Sequence, residues 1–204
     1  MKILNSFANN LRALAPIFRP PFNGLGLTVI LYYAWCFIVY PHSQILRLNF
    51  PDPDDYMYLV QLQDWLQGQG WYDYVQQRLS PPDGVLIHFS RLAMLPMAAI
   101  TLLFKFIGFS LRPAEMLMAV IYPFFLLGAL LMALRSMARE FMPREWSGIT
   151  AYIAIFSTVL IYMFQPGHVD HHGLMLVIVA VVIVAVLRMM NVPKERCNPL
   201  PLVG

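Results

Sequence analysis

The chain has 204 residues, of which 59% are hydrophobic and only 12% charged, and its mean hydropathy is +0.60. A soluble domain carries about a quarter charged residues, and one compact core cannot bury this much apolar surface, so the composition excludes an ordinary soluble protein and requires lipid as the remaining solvent. The balance of 14 Lys/Arg against 11 Asp/Glu, net +3, is too small a bias for nucleic acid to be a partner.

Phe22 to Tyr40 is an uncharged run able to cross roughly 30 Å of hydrocarbon. Lys2, Arg12 and Arg19 precede it and no acidic residue does, which predicts a cytoplasmic N-terminus. The run is too long for a secretory signal and lacks a small-residue cleavage site, so it reads as a signal anchor. Cys36 lies inside it and Cys197 in a polar tail, a placement that argues against a disulfide between them.

Residues 41–91 form a long extracytoplasmic loop, 92–187 a helical membrane bundle and 188–204 a tail. The bundle contains four apolar segments: Leu92–Ile107, Met116–Leu134, Gly148–Phe164 and Gly173–Leu187. The expected fold is all-α, a polytopic helical membrane protein with four to five membrane-embedded segments and amphipathic surface helices in its first loop. If all five segments cross, Arg135, Arg139 and Arg144 fall outside, against the positive-inside rule. Leu92–Ile107, short and containing Pro96 and Lys105, is therefore expected not to cross fully, which puts the long loop and the later His/Asp cluster on one side.

Six of the seven aspartates sit in the first loop: Asp52, Asp54, Asp55, Asp64, Asp73 and Asp83. Asp52–Gly68 reads as a helix with Asp52 as N-cap, Pro53 at the first position and Gly68 as stop. Its apolar side, Tyr56, Leu59, Val60, Leu62, Trp65 and Leu66, suits the membrane surface. Acids at a helix start are explained by capping and the helix dipole; they are also placed to bind a divalent cation or to take a proton. Pro82-Asp83-Gly84 has the residues of a turn. Beyond it come His88 and Arg91, the latter either a headgroup anchor or a ligand for a lipid-linked phosphate.

Gln165-Pro-Gly-His-Val-Asp-His-His-Gly173 holds three of the five histidines and the seventh aspartate. Ionisable groups between apolar segments are costly and usually functional, and imidazole with carboxylate can ligate metal. The plain alternative is a polar interhelical turn at headgroup level.

Asp52-Pro-Asp-Asp-Tyr56 followed by a helix, Pro82-Asp-Gly-Val-Leu-Ile-His88 and Asp170-His-His-Gly173-Leu-Met-Leu together resemble the C-type glycosyltransferases, which use polyprenyl-phosphate-linked sugars. The similarity is greatest to the N-terminal part of oligosaccharyltransferase catalytic subunits and covers about Asn49–Ala185. His172 stands where an acidic residue is frequent in that family. The resemblance implies catalytic carboxylates among Asp52, Asp54 and Asp55, with substrate contacts from Tyr56, His88 and Arg91. It also implies a divalent cation, Mg2+ or Mn2+, held by Asp55, Asp170, His171 and His172. The implied partners are membrane lipid, a polyprenyl-phosphate-linked sugar donor and an unidentified acceptor, at a bacterial inner membrane with the active face extracytoplasmic. Relatives are longer, and three readings fit that difference: the N-terminal part of a larger protein, a truncated reading frame, or one part of a multi-chain assembly. Two other classes fit the same residues: a transporter or channel module, and a metal-dependent membrane hydrolase built on His168, Asp170, His171 and His172.

Overall fold

The computed structural model describes residues 24–39, 47–143, 146–154 and 156–191. The expectations resting on Lys2, Arg12, Arg19, Arg144 and the polar tail lie outside these residues. Seven helices and one short hairpin are described: α1 (Gly24–Val39), α2 (Pro53–Leu66), β1 (Val75–Gln76), β2 (Val85–Leu86), α3 (Arg91–Phe106), α4 (Leu111–Ala138), α5 (Ile149–Ala154), α6 (Thr158–Met163) and α7 (His171–Met190).

Two of them, α4 with 28 residues and α7 with 20, are long and apolar enough to cross a membrane. On α7 the side chains of Ile178, Val179, Val182 and Val186 are about half exposed. Such a β-branched stripe is costly in water and stable against acyl chains. The 16 residues of α3 rise about 24 Å at 1.5 Å each, short of the roughly 30 Å hydrocarbon layer.

α4 and α7 run parallel. At the start of α7, Gly173 lies against Leu126, midway along α4, where a Cβ would meet Leu126 Cδ1 at 3.3 Å. At the end of α7, Glu140 accepts hydrogen bonds from Arg188 Nε (3.4 Å) and Asn191 Nδ2 (3.0 Å). Parallel neighbours need a connection that travels the full height back. The segment Gly148–Phe164, expected as one continuous span, supplies that return as two six-residue helices. Ser157 breaks it by accepting the Leu160 N–H at 3.5 Å and capping α6; a local side-chain acceptor of this kind competes with helix continuation.

The first loop differs from the expectation in two ways. It contains an antiparallel pair in which Val75 faces Leu86 and Gln76 faces Val85, a small strand component in a fold expected to be all-α. The apolar side of α2 meets protein rather than an open membrane surface: Tyr58, Leu59 and Leu62 are buried together with the polar Asp55 and Gln61, while Tyr56 is exposed. The capping expectations hold, with Asp52 accepting the Asp54 N–H at 2.9 Å and Gly68 ending the helix at φ +113°.

Candidate functional site

The site is built where the first turn of α2 meets the loop between α6 and α7. Every residue from Phe164 to Asp170 is buried, unusual for a connection, whose backbone polar groups need partners. One partner comes from a proline. Pro123 in α4 has no N–H to offer the carbonyl four residues earlier, and that carbonyl, Ala119 O, accepts the Gly167 N–H at 2.9 Å instead. Gly167 has φ +92°, and a Cβ there would lie 3.4 Å from the Phe50 ring.

Asp55 supplies the next partners. Its Oδ1 accepts the backbone N–H groups of Val169 (2.6 Å) and Asp170 (2.9 Å), and its Oδ2 pairs with His168 Nδ1 at 3.0 Å. A carboxylate receiving several donors in a buried place holds its geometry firmly. Asp170 caps α7 by accepting the His172 N–H at 2.9 Å, and its other oxygen contacts His172 Nδ1. Tyr162 lies 4.9 Å from the His168 ring and donates its hydroxyl to Asp52 Oδ2 at 3.3 Å. Tyr58, Phe89 and His171 stack into an aromatic wall, and His171 lies 4.3 Å from His172.

The electrostatics follow from this packing. Burial pushes the Asp55 carboxyl up, opposed by the His168 imidazole and the Val169 N–H. Burial alone would lower His168, but the hydrogen bond and charge of Asp55, with Asp170 and Asp52 beyond, outweigh it and raise it above the usual histidine value. The Tyr58 phenol is raised by burial and then by Asp170, Tyr122 and Asp54.

The residues singled out in the sequence separate into three groups. Asp52, Asp55, Asp170, His171 and His172 come together. Asp54 is half-buried beside them, and no hydrogen bond among the described residues engages its carboxylate. Tyr56 is engaged elsewhere: its hydroxyl accepts the Phe50 N–H (2.8 Å) and donates to Asn49 Oδ1 (2.6 Å). His88 is exposed and lines a surface pocket of about 270 Å³ with Tyr74, Leu86, Ile87 and Ser90.

Arg91 departs from the expected headgroup or phosphate contact. It is fully buried, donating through Nη1 to Gln61 O (2.7 Å) and through Nη2 to Gln69 Oε1 and Asp73 O (2.8 Å). Its guanidinium carbon lies 5.8 Å from the ring centres of both Trp65 and Tyr74. Nη1 and Nη2 are committed to the 61–73 segment and Nε is buried without a hydrogen-bond partner, so the guanidinium organises the loop from the inside.

Tyr58 and Tyr162 belong to the site and carry no motif; only their place on faces that turn toward the cluster brings them in. His168, named in the sequence for the hydrolase class alone, is central. Asp55, His168 and Asp170 offer ligand atoms within 4.8 Å of one another, as do Asp170, His171 and His172. His168 Nε2 and His171 Nδ1 are buried with no hydrogen-bond partner, so the donor set is one that a metal ion fits. Between Glu115 and Arg135 of α4, and between His172 and Arg188 of α7, there is no Asp, Glu, Lys, Arg or His, a pattern unsuited to an ion path through the bundle. No family model, curated protein or solved structure matches the chain.

Proposed function

We propose that this protein is a polytopic membrane glycosyltransferase that moves a sugar from a polyprenyl-phosphate-type lipid to an acceptor outside the cytoplasm. The observation that carries the reading is the meeting of the first-loop aspartates with the Gln165–His172 cluster at the start of α7, 113 residues apart in the chain at the Asp55–His168 bond. Arg135, Arg139 and Arg188 lie toward the C-terminal ends of α4 and α7. The positive-inside rule puts those ends in the cytoplasm and the site on the far side, in a bacterium at the inner membrane.

Asp54 is the candidate base. Among the three first-loop acids at the site it alone is partly exposed with a carboxylate that no hydrogen bond among the described residues engages, whereas Asp52 caps α2 and Asp55 holds the buried loop. In this mechanism Asp54 takes the acceptor's proton as the acceptor atom bonds to the anomeric carbon. The bond from that carbon to the phosphate oxygen breaks, and its electron pair leaves on polyprenyl phosphate. A divalent cation would be held by Asp170 with its histidine neighbours and would offset charge on the leaving phosphate. The half-buried His171 ring, backed by the buried rings of Tyr58 and Phe89, provides an aromatic face of the kind sugars stack on.

The test is transfer of labelled sugar from polyprenyl-phosphate donors in native membranes holding the full-length protein. Asp54→Asn is expected to reduce transfer by about 100- to 10,000-fold with membrane insertion unchanged. Full transfer by both Asp54→Asn and Asp170→Asn would refute the assignment.

One observation favours a second reading, metal-dependent hydrolysis: three imidazoles, those of His168, His171 and His172, surround Asp170, a nitrogen-rich set typical of metal-activated water. It requires hydrolysis of an ester or amide in the absence of any lipid-linked sugar; glycosyl transfer requires the sugar.

A further inference from the structure

We propose that Asp55 is an orienting carboxylate, and that His168 Nε2 and the Asp170 carboxylate are the ligands of a transition-metal ion of the Zn2+, Co2+ or Mn2+ class in preference to Mg2+. The proposal fixes the class of metal and the role of each residue, and it stands whether or not the chemistry is glycosyl transfer.

Asp55 has both oxygens engaged, Oδ1 by two backbone N–H groups and Oδ2 by His168 Nδ1. Two backbone N–H donors on Oδ1 favour the ionised Asp55 carboxylate, so Oδ2 accepts from the Nδ1–H, and an ion binds the ring through Nε2, displacing any proton held there. Nε2 is buried and has no hydrogen-bond partner, in a side chain only 2% exposed. The group it faces is Asp170 Oδ1, 3.8 Å away. This is too long for a hydrogen bond, but metal–nitrogen and metal–oxygen bonds of about 2.0–2.2 Å let one ion touch both atoms. A metal-ligating histidine whose other nitrogen is held by a carboxylate is a recurrent arrangement that fixes the ring and raises its basicity.

Asp170 is oriented in the same way from the other side, by the His172 N–H at 2.9 Å and by His172 Nδ1. The His172 side chain is 43% exposed, so the remaining coordination positions open on that side, where water or substrate enters. Mg2+ prefers oxygen in near-ideal octahedral geometry and keeps its waters; a buried imidazole suits Zn2+ and the neighbouring transition ions better.

The experiment uses the full-length protein in detergent, stripped with a chelator and reloaded with one metal at a time, with no lipid-linked sugar present. One equivalent of Zn2+ or Co2+ is expected to survive gel filtration, and a hundredfold excess of Mg2+ is expected not to displace it. In the Mn2+-loaded wild-type chain, 15N-labelling of histidine should change the nitrogen coupling seen by pulsed electron paramagnetic resonance. Asp55→Asn should weaken affinity by about 10- to 100-fold while keeping the stoichiometry, His168→Ala should abolish the coupling, and His172→Ala should leave it. Absence of histidine nitrogen coupling in the wild type overturns the proposal, and that measurement depends on no variant folding. Equal competition by Mg2+ overturns it too, as does coupling that survives His168→Ala but disappears in His172→Ala. Failure of sugar transfer alone would refute the preceding reading and leave this one standing.

Discussion

His168 Nδ1 and Asp55 Oδ2 meet at 3.0 Å across 113 residues of sequence, and the two side chains are 2% and 0% exposed. The pair joins the start of α2 to the loop before α7, and Asp55 adds two backbone bonds to the same loop. Asp55→Asn keeps an oxygen for Val169 and Asp170 but puts an amide donor against His168, so a loss of about 1–3 kcal/mol is expected. Asp55→Ala strands every donor in a buried place and should cost about 3–5 kcal/mol. Thermal unfolding in detergent compares them; equal losses would mean that the loop does not depend on this carboxylate for its partners.

Local chemistry made much of this legible in the sequence. Asp52, Pro53 and Gly68 bracket α2 as a cap, a first-turn residue and a stop, and the polar groups of Gln165–His172 stand out against apolar flanks. The break within Gly148–Phe164 is hidden because its composition is that of a continuous span and only Ser157 signals otherwise. Arg91 misleads for a related reason: before an apolar helix, a buried arginine and a headgroup arginine have the same neighbours in sequence, and only the folding back of Gln61, Gln69 and Asp73 distinguishes them. The Asp55–His168 pair is tertiary and has no local signature at all.

Gly167 and Pro123 form a second link that mutation can separate from the first. Gly167→Ala forces a side chain into the left-handed region at φ +92°, and a loss of about 1–2 kcal/mol is expected. Pro123→Ala acts differently, because it returns an N–H to α4 that competes with Gly167 for the Ala119 carbonyl. Overall stability should hold or rise, since proline is unfavourable inside a helix, while exchange of the Gly167 amide with solvent speeds up about tenfold, the equivalent of one hydrogen bond. Hydrogen exchange read by mass spectrometry checks this; unchanged protection of the 165–170 segment would disprove the competition.

The hairpin turn gives a steric prediction. At Gly84, φ +73°, a Cβ would lie 2.7 Å from Val75 Cγ1 and 3.2 Å from the Gln76 carbonyl. Gly84→Ala should cost about 1–3 kcal/mol through clash and backbone strain together. Adding Val75→Ala removes the shorter contact but neither the carbonyl contact nor the strain. The double variant should therefore recover part of the loss relative to the sum of the singles. Strict additivity in thermal unfolding would contradict the contact.

Two arginines of the first loop should behave in opposite ways. Arg78 pairs with Asp64 at 2.9 Å, but its side chain is 55% exposed, and screened pairs of this kind contribute about 0–1 kcal/mol. Arg91 is fully buried, and three acceptors and two aromatic faces depend on its planar guanidinium. Lysine has one nitrogen and cannot reach Gln61 O, Gln69 Oε1 and Asp73 O together. Arg91→Lys should therefore cost about 2–4 kcal/mol through the acceptors it leaves unpaired, and Arg91→Ala more, whereas Arg78→Ala should be near neutral. Because the contacts of Arg91 run to the 61–73 segment, its loss should also raise protease cleavage between Gln67 and Tyr74 before global unfolding. A Lys variant with wild-type melting and wild-type cleavage would show that charge alone, without the fork geometry, holds the loop.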